Sequence, residues 1–119
     1  MSDAFIAYLH DLFADLGTIS TRAMFGGHGV YHQGVIIGIV IDDGLYLKTD
    51  AMTRSTFERA GGVPFFYSHK GRQLTMSYWS LPGEAMDSPQ AMLPWARLAF
   101  DAALRKPAAR RGSGRKGTA

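Results

Sequence analysis

A chain of 119 residues that is 46% hydrophobic and 12% aromatic has the size and apolar fraction of one domain with one ordinary core. The absence of cysteine excludes a disulfide framework, a thiolate nucleophile and a Cys-based zinc site, and it suits a reducing, cytoplasmic setting. Six of the thirteen lysines and arginines, and none of the ten acids, fall in residues 105–119, so residues 1–104 carry a net −3 and the chain end +6.

The opening MSDAFIAYLHDL has no basic segment followed by an apolar run, so no signal peptide is expected. Phe5, Leu9, Leu12, Phe13 and Leu16 recur at the spacing of one helical face, with Asp3, Asp11 and Asp15 off it, which predicts an amphipathic helix over residues 3–16. Ser2 is its expected N-cap, Asp3 suits its positive end, and Gly17 can end it in the left-handed conformation.

From Thr21 to Thr49 the pattern turns to β-branched and aromatic runs: Ala23 to Phe25, Gly29 to Tyr31, Val35 to Ile41 and Leu45 to Lys48. These predict three consecutive antiparallel strands, with His32-Gln33-Gly34 and Asp42-Asp43-Gly44 as the turns and a bulge or a close backbone approach at Gly26-Gly27 inside the first strand. The longest apolar stretch, Val35 to Ile41, is far short of the roughly 20 residues that cross a bilayer, so no membrane contact is expected. Asp50 is placed to cap a second helix over 51–60, with Met52, Thr56, Phe57 and Ala60 inward and Gly61-Gly62 as its stop.

After Pro64, the runs Phe65 to Ser68 and Leu74 to Trp79 predict a further hairpin, turning at His69 to Arg72. Asp87 or Ser88, followed by Pro89, is the expected opening of a third helix reaching Leu104, because Pro at the first helical position gives up no needed N–H. Met92, Trp95, Ala96, Ala99, Phe100 and Ala103 form its apolar face, and Pro94 predicts a local irregularity. Residues 105–119 contain no aromatic or large aliphatic side chain and are expected to be a disordered basic tail on a domain of residues 1–104. The resulting order, α-β-β-β-α-β-β-α, predicts an α+β fold with helices on a five-stranded, mainly antiparallel sheet in two layers.

The segments Arg22 to Tyr31, Asp42 to Lys48, Pro64 to Tyr67 and Met76 to Trp79, in that order, resemble the N-terminal domain family of TfoX-type competence regulators. The resemblance runs from about Leu12 to Leu104 and implies a two-layer domain similar to the secretion-chaperone-like fold. It also implies a role in gene regulation linked to DNA uptake, exerted through partners.

Chemistry-bearing residues are sparse. Gly26-Gly27-His28-Gly29 lacks the Lys-Ser/Thr ending of a phosphate loop and runs into a strand rather than a helix, so a bulge explains it better. His28 and His32 share a face of a regular strand but would stand roughly 13 Å apart, too far for one metal; His10 lies off the inner helix face and His69 in a turn. No catalytic residue, cofactor or metal site is assigned, since Ser77 and Ser80 have no evident base and Asp42-Asp43 should be solvated. Among Phe65, Phe66, Tyr67, Tyr78 and Trp79, strand alternation puts about half in the core and leaves the rest for a binding face beside Lys70 and Arg72.

Arg105, Lys106, Arg110, Arg111, Arg115 and Lys116 would attract nucleic-acid phosphate without reading sequence, or simply keep the chain soluble. The leading expectation is a non-enzymatic binding module that contacts a protein of the transcription apparatus, with weak nucleic-acid affinity from the tail. The alternatives are a chaperone-like homodimer that binds peptide segments and a small-molecule enzyme with an unrecognised site.

Overall fold

In the computed structural model the described residues are 3–24, 26–42, 44–69 and 72–105, with side chains described outside 67–69 and 72–76. They form an α+β fold in which six antiparallel strands make one open sheet and all the helices lie on one side of it.

The first helix, α1, spans Asp3–Leu12. It ends four residues before the expected limit, because Phe13 to Leu16 continue as tighter turns: the amides of Leu16 and Gly17 both donate to the Phe13 carbonyl, at 2.9 and 3.0 Å. Gly17 then takes φ +144° and turns the chain into the sheet. Leu9, Leu12 and Phe13 are fully buried, as their spacing demands.

Strands β1 (Ile19–Met24), β2 (Gly27–His32), β3 (Val35–Ile41) and β4 (Gly44–Lys48) follow as a continuous meander. Four strands stand where the sequence pattern predicted three. Gly26, at φ +76°, lies in the turn that separates β1 from β2, so the expected bulge at Gly26-Gly27 is a chain reversal, while the close backbone approach is present: a Cβ on Gly27 would collide with the Val40 carbonyl oxygen. The irregularity sits one strand further on: Val30 pairs with Gly38 and Tyr31 with Ile36, which leaves Ile37 as the extra residue of β3. Gln33 and Gly34, both at positive φ, make the two-residue turn between β2 and β3.

Asp50 opens the next segment, but as a turn. Its Oδ1 accepts from the amides of Met52 and Thr53 at 3.0 and 3.2 Å, and α2 begins only at Arg54 and runs to Arg59. Of the predicted inner face, Phe57 is fully buried and stacks edge-on against Trp95, whereas Met52 is 71% exposed because it lies in the turn ahead of the helix. Strands β5 (Pro64–His69) and β6 (Arg72–Ser80) complete a sheet of order β1-β2-β3-β4-β6-β5. His69 thus closes β5 rather than lying in the turn.

A 3-10 turn, Gly83–Met86, leads to α3, Pro89–Leu104. Ser88 caps α3 with its hydroxyl accepting from the Ala91 amide at 3.1 Å. The helix runs through Pro94 without interruption, so the proline removes one hydrogen bond and does not break the element. Ala96, Ala99 and Ala103 bring α3 close to β3 and β4, and Met92 fills the space between. One core joins these residues to Leu9, Leu12, Phe13 and Phe57 and to Val30, Ile37, Val40, Leu45, Leu47 and Trp79 from the sheet.

Candidate functional site

The strand alternation that builds this core gives the sheet a second face on which no helix of the described residues lies. Leu45 and Leu47 point into the core, so Tyr46 and Lys48 point away from it. The register carries the same side across neighbouring strands: Arg22 pairs with Gly29, Gly29 with Ile39, Ile39 with Tyr46, and Tyr46 with Ser80. A second row runs parallel to it, with Ser20 opposite Tyr31, Tyr31 opposite Ile36, and Lys48 opposite Tyr78.

Aromatic rings and cations dominate this face. Arg22 places its guanidinium carbon 5.1 Å from the centroid of the Tyr31 ring, and Lys48 places Nζ 5.4 Å from that of Tyr78. Lys48 also donates to Ser77 Oγ at 2.8 Å. Tyr46 and Phe65 meet at 5.0 Å between centroids, across β6, where the short Ser80 opposite Tyr46 leaves them room. Gly29 serves the same end, since a Cβ there would fall 2.7 Å from Met24 Sδ and 3.0 Å from Tyr31 Cε1. Ile39 is only 3% exposed and Tyr78 8%, so neighbouring side chains close over the middle of the face, while Tyr31, Tyr46 and Phe65 stay partly open to solvent. Burial pushes the Tyr78 phenol above its ordinary value of 10.0, and the nearby Tyr31 adds to the shift.

Charge is segregated in the same way. Among the described residues no strand contains an aspartate or glutamate, and the nine acids lie in helices or connections. The acid nearest in sequence to the face, Asp50, is occupied: Arg105, the C-cap of α3, donates from Nε to Oδ2 at 2.8 Å and from its terminal nitrogen to Oδ1 at 3.2 Å. That hydrogen-bonded pair holds the Asp50 carboxyl below its usual range.

The residues predicted from sequence are distributed unevenly about this surface. Of the aromatic set, Tyr78 and Phe65 belong to it, Trp79 is in the core, and Phe66 is 49% exposed at edge strand β5; the Tyr67 side chain lies outside the described residues. Arg105 belongs to the folded body, and Lys106, Arg110, Arg111, Arg115 and Lys116 lie outside the described residues, as do Lys70 and the Arg72 side chain. Sequence reasoning did not single out Arg22, Tyr31, Tyr46 or Lys48 as members of one surface. The alternation Leu45-Tyr46-Leu47-Lys48 held the signal for two of them.

The histidines play other parts. His32 is buried on the helix side, its Nδ1 2.8 Å from the Thr18 carbonyl oxygen and its ring edge-on to Phe100, so it donates that hydrogen bond and packs as a core residue. His28 Nδ1 is buried with no hydrogen-bond partner among the described residues, and these contain no group of three potential metal ligands. His10 is exposed and borders a recess of about 330 Å³ between α1 and β1. No described helix is long and apolar enough to cross a membrane.

Comparison with known proteins accords with the resemblance seen in the sequence. The TfoX N-terminal domain model matches residues 11–103. The DNA transformation protein TfoX1 of Aliivibrio fischeri (strain ATCC 700601 / ES114) is 26% identical over 86 residues, which are 72% of this chain and 41% of that protein. The chain therefore spans less than half the length of this relative. With the family match covering most of its length, the chain belongs to the TfoX N-terminal domain family.

Proposed function

We propose that this chain is a binding module of competence-type gene regulation, acting through the open face of its sheet and not by catalysis. The observation that carries this reading is the contrast between the two faces. On the side of the sheet away from the helices, half-exposed rings and cations add less to folding than the core does, and such surfaces mark interaction sites. The face carries Arg22 and Lys48 without an acid on any strand, so it suits an anionic partner. Membership of the TfoX N-terminal domain family, and the likeness to a protein named for DNA transformation, support a place in competence-type regulation. The basic chain end adds attraction for phosphate that does not depend on sequence.

The test is complementation of a deletion strain, read by transcript profiling. The wild-type chain restores the profile, and so does Arg54→Glu, a charge reversal at an exposed position on α2. Arg22→Glu and Lys48→Glu leave the deletion profile in place while the protein remains folded and abundant. Full restoration by both face variants would refute the reading.

A further inference from the structure

The open face and the C-terminal end of α3 meet at one corner of the molecule. Ala103, near the end of α3, lines a recess of about 230 Å³ together with Tyr31, Gly34, Ile36 and Lys48. Residues after Arg105 are thus joined to the body beside the Tyr31 and Lys48 end of the face, and the bidentate Asp50–Arg105 pair fastens that junction. They carry five further cations, Lys106, Arg110, Arg111, Arg115 and Lys116, and no acid.

We propose that the open face binds single-stranded nucleic acid, with bases stacking on Tyr31, Tyr46 and Phe65 and phosphates meeting Arg22 and Lys48. This deepens the reading of the open face as the binding surface and rests on it. The ring content decides the partner class. An acidic peptide would use the cations and leave the rings without a role, and duplex DNA keeps the faces of its bases inside its own stack. An unpaired base offers a π-face to a ring whatever its identity. The geometry accommodates such a strand: the face crosses six strands, about 24 Å at the usual strand spacing of about 4.8 Å. The absence of acids from the strands leaves that path free of like charge from the sheet itself.

The experiment measures fluorescence anisotropy of a labelled pyrimidine oligonucleotide of about 12 nucleotides, a length within single-strand site sizes. It is added to the full chain at several salt concentrations beside a duplex of equal length and a polyglutamate peptide. The single strand is expected to bind at least about tenfold more tightly than the duplex. Tyr46→Leu and Phe65→Leu, which keep apolar bulk and remove the ring, each lose at least about fivefold for the single strand, the low end of measured base–ring stacking. Arg22→Gln, at an exposed position with little risk to folding, lowers the salt slope by about 0.7. Full-length chain with Arg110, Arg111, Arg115 and Lys116 changed to Gln binds both nucleic acids more weakly but keeps its preference for the single strand.

Equal affinity for duplex and single strand, or ring variants that bind like wild type, would overturn the proposal and reduce nucleic-acid binding to an electrostatic property of the chain end. Binding of polyglutamate in place of the oligonucleotide, with Arg22→Glu still failing in cells, would also overturn it while leaving the open face as the surface for an acidic protein.

Discussion

The two faces of this sheet are built from alternate residues of the same strands and obey different rules. Leu45 and Leu47 disappear beneath α3, where alanines let the helix approach closely; Tyr46 and Lys48, one residue along, meet rings from strands as distant as β5. Burial and packing account for the first face. The second buries Ile39 and Tyr78 at its middle but leaves Tyr31, Tyr46 and Phe65 partly open beside Arg22 and Lys48, an arrangement that suits a contact surface.

The largest expected effect lies on the helix side. Leu47→Ala removes a fully buried side chain from between β3, β6 and α3 and should cost about 2–5 kcal/mol in urea unfolding. Loss of the α3 cap by Ser88→Ala comes next, at about 0.5–2 kcal/mol, since the Ala91 amide would lose its acceptor. On the open face Arg22→Ala should cost about 1 kcal/mol or less, the range of an exposed cation–ring contact. A loss at Arg22 as large as that at Leu47 would break the comparison, because the open face would then be part of the fold's own support.

Two pH effects sharpen it further. The Tyr78 phenol, raised first by burial and then by Tyr31, ionises later in the folded chain than in the unfolded one. The stability it contributes is complete below pH 10.0 and is lost as pH rises from there through the higher folded value, a loss that Tyr78→Phe should reduce in urea midpoints measured on either side of pH 10.0. The Asp50 carboxyl is lowered chiefly by its hydrogen bond from Arg105, so its contribution is present above its ordinary value of 3.8 and fades as pH falls through the lower folded value. Wild type and Arg105→Gln should therefore differ slightly in thermal midpoint at neutral pH and converge in acid. This is the smallest effect, because the pair is partly solvated.

Much of the fold could be read before any coordinates, because helix periodicity, the Ser88-Pro89 start and the Gln33-Gly34 turn each follow from local chemistry. The miscounted strand at Gly26-Gly27 shows where that ends: a bulge and a reversal both use glycine's freedom at positive φ, and only pairing of β1 along β2 distinguishes them. The second helix began late for a related reason, since an aspartate that caps a turn and one that caps a helix accept the same two amides. The candidate site was harder still. Arg22, Tyr31, Tyr46, Phe65 and Tyr78 come from five strands and are ordinary strand residues one at a time; only the register, including the displacement at Ile37, sets them side by side.

The most direct test of the open face as the working surface is amide chemical-shift mapping of the ¹⁵N-labelled full chain during titration with the single-stranded oligonucleotide. Shifts concentrated at Arg22, Tyr31, Tyr46, Lys48 and Tyr78, with Leu9, Phe57 and Ala99 unmoved, are the predicted result. Shifts confined to residues after Arg105, or spread over α1 and α2 with the open face silent, would contradict it.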